Sequence, residues 1–211
     1  MVSANSCEPP AGGTTANGAL YLADTVEHSA KILVVGAFGV GKTTLIGSVS
    51  EIKPLRTEES MTTASVGIDD LAGLEGKHET TVAMDFGRLT VTPTLVLYLF
   101  GTPGQRRFWD MWEGLAEGAV GVLVLVDTRR LERSFEVLDQ LETQLAELPF
   151  AVAVNHFPDS PRHEAGELIE ALDLPPGTPV IGCDARNHPE SVQALITLVE
   201  LALAARKMAS V

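Results

Sequence analysis

Apolar residues along the chain fall into two alternating patterns. Short unbroken runs occur at 32–35, 95–100, 119–126, 150–154 and 179–182, and an apolar run without alternation is what a strand covered on both faces presents. Between them lie segments with helical spacing. Phe108, Met111, Trp112 and Leu115 begin one; 131–148 and 162–172 are two more; 191–208 closes the chain with Val192, Leu195, Ile196, Val199 and Leu203 on one side. Segment 80–92 also has strand character, and Pro93 lets it pair antiparallel with the run at 95–100. Strands alternating with helices imply right-handed crossovers and an α/β fold, a mostly parallel six-stranded sheet flanked by helices. One domain over 30–208 is expected. Residues 1–29 mix Ser, Asn, Pro, Gly and Thr and read as a flexible tail, in which Leu20, Tyr21, Leu22 and Val26 offer a short helix or a docking edge. Residues 51–80 are polar, carry Pro54 and keep no period, so they read as a long excursion with one helical turn at most.

The first strand runs into G-x-x-x-x-G-K-T, with Gly36, Gly41, Lys42 and Thr43, and a helix-compatible segment follows from Thr44. Strand, glycine loop and helix start together make an anion cradle of backbone N–H groups, here spanning Phe38, Gly39 and Val40. Lys42 adds a point charge for β- and γ-phosphates, and the Thr43 hydroxyl suits Mg²⁺, a cation that takes few protein ligands. The competing reading is an ordinary glycine-rich turn with a surface lysine, and it needs no other motif. In a sheet of this kind, ligands sit at the carboxyl ends of the strands. The residues found there are Gly104 and Gln105 after the run at 95–100, Asn155 after 150–154, and Asp184, Ala185 and Arg186 after 179–182.

Composition narrows the ligand. The net charge of −13, with only 15 Lys and Arg, argues against a nucleic-acid surface, while a single nucleotide held by backbone amides remains compatible. Two cysteines, Cys7 and Cys183, build no disulfide framework and favour a reducing, cytoplasmic setting. No signal peptide, membrane-length apolar run or lipidation motif stands out, so no direct membrane anchor is expected and any membrane association would come through a partner.

The order of motifs resembles the Ras-like small GTPases over about 150 residues, from Lys31 to Arg186: phosphate loop, T-x-x-x-D-F, T-P-G-Q, V-N and C-D-A-R. Within that superfamily it is similar to bacterial members of the gliding-protein type and, more so, to the actinobacterial conservon GTPases. The resemblance implies a signalling switch that binds GTP and GDP with Mg²⁺, beside a roadblock-type regulatory protein and a sensor-kinase-like complex. By the same resemblance, Thr81 is the threonine that meets Mg²⁺ and the γ-phosphate, with Thr80 as its neighbour and Thr62 or Thr63 as weaker choices. Gln105 orients the attacking water, Asn155 and His156 belong to the base loop, and the Ala185 amide meets the guanine oxygen.

The departures shape what to expect of the site. Gly101 stands where the family carries an aspartate before T-P-G, removing the usual carboxylate near Mg²⁺. Asn155-His156-Phe157-Pro158 replaces the base motif N-K-x-D, with Asp159 one position late. Losing a bidentate carboxylate–base pair costs on the order of 1–3 kcal/mol of discrimination, so ATP stands beside GTP as an alternative. Asp85 reads as a hydrogen-bonded or partner-facing strand residue, Arg106 and Arg107 as a solvated helix start, and Arg129, Arg130 and Arg133 as a solvated turn. Trp112 suits the apolar face of its helix and Trp109 a partner site. Two further alternatives are a nucleotide-holding scaffold without turnover and a small-molecule kinase; T-P-G-Q argues against the kinase.

Overall fold

The computed structural model describes residues 22–53, 55–61 and 80–209. In chain order its elements are β1 (His28–Gly36), α1 (Lys42–Val49), β2 (Leu55–Met61), β3 (Thr80–Thr92), β4 (Leu95–Gly101), α2 (Met111–Ala116), β5 (Ala119–Val126), α3 (Glu132–Leu145), β6 (Phe150–Asn155), α4 (Ala165–Ala171), β7 (Val180–Cys183) and α5 (His188–Ala209). They build one sheet in the order β2-β3-β4-β1-β5-β6-β7. β4, β1, β5, β6 and β7 are mutually parallel, while β3 runs antiparallel to β4 and β2 antiparallel to β3.

The apolar runs sort side chains to two cores by simple alternation. Ile32 and Val34 of β1, with Leu97, Leu99, Leu123 and Leu125, meet α1 through Leu45 and Ile46 and α5 through Leu195 and Leu198. Leu33 and Val35, with Val122, Val124 and Val126, meet Trp112, Val137, Leu141 and Leu168 from the other helices. The result is the expected doubly covered sheet, with one strand more than the periodicity predicts. The extra strand is β2, whose sequence LRTEESM carries no apolar run. As an edge strand it needs only backbone pairing with β3, and charged residues on an edge also discourage pairing with other chains. The expectation of an unpaired excursion is therefore corrected for 55–61; residues 62–79, including Thr62 and Thr63, lie outside the described residues.

Other boundaries move for local reasons. β1 starts at His28, inside the expected tail, because the Glu27 and His28 amides both donate to Thr94 O at the β3–β4 turn, at 3.1 and 2.9 Å. Thr25 Oγ1 adds a bond to Pro93 O at 2.7 Å. Residues 1–21, with Leu20 and Tyr21, lie outside the described residues. α4 starts at Ala165 because Glu164 and Glu167 close a capping box there, each carboxylate accepting the other residue's backbone N–H.

Candidate functional site

At the β1–α1 turn the backbone bends through glycines. Gly41 sits at φ 109°, and a Cβ built on it would lie 2.5 Å from Asn155 Nδ2; both facts exclude a side chain. α1 begins at Lys42 with no side-chain cap, leaving its first N–H groups to an incoming anion. Lys42 is 8% exposed. Its Nζ donates to Gly36 O and Ala37 O at 2.7 and 2.9 Å, folding the head group back over the loop. Burial pushes the ammonium down to about pKa 8, against the pull of the Asp85 charge.

This loop forms one wall of a cleft of about 490 Å³. Thr43 and Asp85 line it, as do Thr102, Gly104 and Gln105 across from them. Gly104 is squeezed: a Cβ there would lie 2.7 Å from both Lys42 Nζ and the Phe38 amide nitrogen. The next residue, Gln105, is exposed at the rim and starts the tight turn Arg106–Phe108. Phe38, 64% exposed, lies on the loop's outer edge. Of the two arginines after Gln105, Arg107 lines the cleft, while Arg106 is held by the carboxylate of Glu136. Trp109, expected at a partner site, is half-buried with its ring 5.7 Å from that of the buried Trp112.

Asp85, read from the sequence as a hydrogen-bonded or partner-facing strand residue, is hydrogen-bonded to the phosphate loop. Its Oδ2 accepts a hydrogen bond from Thr43 Oγ1. A bulge between Thr90 and Thr92 shifts the β3–β4 register, so Asp85 pairs with Gly101, and without a side chain at Gly101 the carboxylate has room at the pocket floor. Thr102 Oγ1, also at that floor, is buried without a partner among the described residues.

Asn155 proves to be a staple. It is 4% exposed, donates from Nδ2 to Val40 O at 2.8 Å and accepts the Ala185 N–H on Oδ1 at 3.0 Å. It thus ties the phosphate loop to the β7–α5 loop, and the Ala185 amide expected to meet a base is engaged by Asn155. Asp184 and Arg186 pair with each other, at 2.7 and 2.9 Å, and this guanidinium pulls the Asp184 carboxyl down to about pKa 2. His156, expected beside a nucleotide, instead rests on Gly182 and lines a second cleft with His163 and Glu167. Arg129 and Arg130 are not simply solvated: both donate to the buried Asp127 carboxylate, and Arg129 stacks 3.6 Å over the Phe157 ring. Thr81 lies early in β3. It pairs with Ser60 in the β2–β3 ladder, four residues along the strand from Asp85 and hence roughly 13 Å away.

A phosphate-binding loop between the first strand and first helix of a doubly wound, mostly parallel sheet defines the fold as that of a P-loop G domain. The chain belongs to the family described as "conserved hypothetical ATP binding protein", matched over residues 34–205. It is 31% identical over 127 residues to an uncharacterized protein of Methanocaldococcus jannaschii, covering 59% of this chain and 68% of that one. Among solved structures it is similar to the G domain of the T. maritima FeoB iron transporter, at 18% identity and TM-score 0.59, covering 83% of this chain and 99% of that one. It is equally similar to the Arl6 BBS3 small GTPase from Trypanosoma brucei with bound GppNp, at 18% identity and TM-score 0.59, covering 84% and 99%.

The fold implies Mg²⁺, and the residues fit it. A hard cation wants oxygen donors, and the floor of the cleft offers the Thr43 hydroxyl, the Asp85 carboxylate and the unpartnered Thr102 hydroxyl. No group of three or more His, Cys, Asp or Glu that could hold a metal by itself occurs among the described residues, so phosphate oxygens and water would complete the shell. No helix among the described residues is long and apolar enough to cross a membrane.

Proposed function

We propose that the protein is a small signalling switch that binds GTP with Mg²⁺ and hydrolyses it slowly to GDP and phosphate, assisted by a partner. The observation that carries this reading is one cleft joining Lys42 and Thr43 of the phosphate loop to Gly104 and Gln105 at the end of β4. The loop amides and Lys42 hold the phosphates; Gly104, without a side chain, offers its amide to the last of them; Gln105 orients the attacking water. Thr43 would help hold Mg²⁺, whose charge would offset that of the phosphate oxygens. For Thr81 to join it, the first residues of β3 would have to leave β2, which makes that hairpin the segment read by the γ-phosphate. Phosphoryl transfer is mostly positioning and electrostatics, so a site whose Arg106 is held by Glu136 and whose Arg107 is an exposed side chain at the cleft wall should turn over slowly unaided. The roadblock-type and sensor-kinase-like partners follow from the resemblance, as does a cytoplasmic location, peripheral to the membrane only through those partners.

A second reading, ATP in place of GTP, has its own support. Pro158 is exposed where the base-reading carboxylate belongs, and the family description names ATP. Chromatography of the nucleotide that copurifies with the protein separates the two. Release of phosphate from Mg²⁺-GTP or Mg²⁺-ATP, measured against Lys42→Ala and Gln105→Leu, tests turnover. Equal rates in all three proteins, with neighbouring gene products present, would remove the hydrolase claim and leave a binding scaffold.

A further inference from the structure

Resting on the reading that the cleft takes a nucleotide, we infer that Asp85 is the residue that positions the Mg²⁺-binding hydroxyl of Thr43, supplying from β3 the carboxylate that β4 lacks at Gly101. In P-loop proteins the metal is held by the loop Ser or Thr together with an acidic residue from a neighbouring strand. Here the strand beside the loop, β4, ends in Gly101. A carboxylate reaches that end from its antiparallel neighbour: Asp85 is the register partner of Gly101. A Cβ at Gly101 would lie 3.1 Å from Asp85 Cβ and 3.5 Å from its Oδ2. A side chain starting from 101 and the Asp85 carboxylate therefore compete for one place.

The hydrogen bond defines what Asp85 does there. A hydroxyl has one proton and two lone pairs. Because Thr43 gives its proton to Asp85 Oδ2, its lone pairs are left for a cation in the cleft, and a charged acceptor makes the oxygen a better donor to it. Gly101 is thus explained as well: among the described residues that line the cleft Asp85 is the one carboxylate, and a second beside it would crowd and repel it.

The experiment uses the full chain and fluorescent N-methylanthraniloyl derivatives of GDP and ADP, with release followed over a Mg²⁺ titration and in EDTA. Binding of Mn²⁺ to the nucleotide complex, read by electron paramagnetic resonance, reports the metal directly. Residues that support a metal ligand typically contribute 10- to 100-fold to metal affinity. Asp85→Asn should therefore shift the Mg²⁺ half-saturation and Mn²⁺ affinity by about that factor, with release in EDTA changed much less. The exchange Asp85→Gly with Gly101→Asp should recover most of the loss; the Ile46 Cδ1 atom that the new Cβ would meet at 2.8 Å is the end of a flexible side chain. Thermal melting without nucleotide or metal checks that each variant folds. An Asp85→Asn protein that melts lower but keeps the wild-type Mg²⁺ half-saturation would show a purely structural bond and overturn the inference. So would a folded exchange variant that stays at the Asp85→Asn level. Failure to bind either derivative would instead overturn the nucleotide reading itself, and the inference with it.

Discussion

At the scale of single residues, the cleft depends on the missing side chain of Gly104 and the buried charge of Lys42. Gly104 does not need an unusual backbone; it needs emptiness, because a methyl group would meet the Phe38 backbone and the Lys42 head group at 2.7 Å. The Phe38 nitrogen cannot rotate away, so Gly104→Ala should distort the phosphate loop and weaken triphosphate binding about tenfold or more, roughly 1.4 kcal/mol, in an isothermal titration. Lys42 gives a pH signature. Its ammonium is held down at about pKa 8, from 10.5, mainly by burial. In the unliganded protein the charged form is disfavoured, so its cost to stability is fully present below pH 8 and fades as the pH rises from 8 toward 10.5. A bound phosphate favours the charged form and raises that pKa. Binding between pH 8 and 10 must then take up a proton, and affinity must fall as the pH climbs through that window. Titrations at pH 9 in buffers of different ionisation enthalpy should show the uptake; at pH 7 they should show almost none.

At the scale of elements, the site is an agreement among strand ends. Asn155, the last residue of β6, bonds the phosphate loop after β1 and the loop after β7 at once. Asn155→Ala leaves a buried carbonyl and a buried amide unpaired, at about 1–3 kcal/mol each, and should lower urea stability by roughly that amount while loosening nucleotide. Asn155→Asp, which can accept from Ala185 but cannot donate to Val40, should keep part of the effect. The strands that carry these residues were readable because each is an apolar run covered on both faces, and the phosphate loop because its glycines and lysine fall in one local window. Asp85 was not readable in the same way. Its partner follows from a hairpin register, and the bulge between Thr90 and Thr92 moves that register by one residue, pairing Asp85 with Gly101 instead of Thr102. Nothing in a list of residue types announces a bulge. β2 escaped for the opposite reason: a polar edge strand is stabilised by backbone pairing, which leaves no apolar pattern to see. Thr81 was placed by matching the residues after it, while its position here is set by its pairing with Ser60, a contact between distant segments.

At the scale of the whole molecule, the local and the global electrostatics oppose each other. The cradle itself is positive, made of α1 N–H groups and Lys42, yet the chain carries a net charge of −13. A free nucleoside triphosphate, itself a polyanion, therefore approaches through a repulsive field before it reaches an attractive pocket. Long-range repulsion is removed by salt much more readily than contact interactions inside a cleft, since the Debye length falls from about 30 Å at 0.01 M to about 8 Å at 0.15 M. Adding NaCl over that range should raise the association rate of metal-free nucleotide, the reverse of the slowing seen when opposite charges steer an encounter. Mg²⁺-nucleotide carries less charge, so its association rate should rise less. Stopped-flow mixing with a fluorescent nucleotide, with and without Mg²⁺, reads both rates. A rate that falls with salt would mean that the field at the mouth of the cleft is governed by Arg107 and Lys42 rather than by the charge of the chain as a whole.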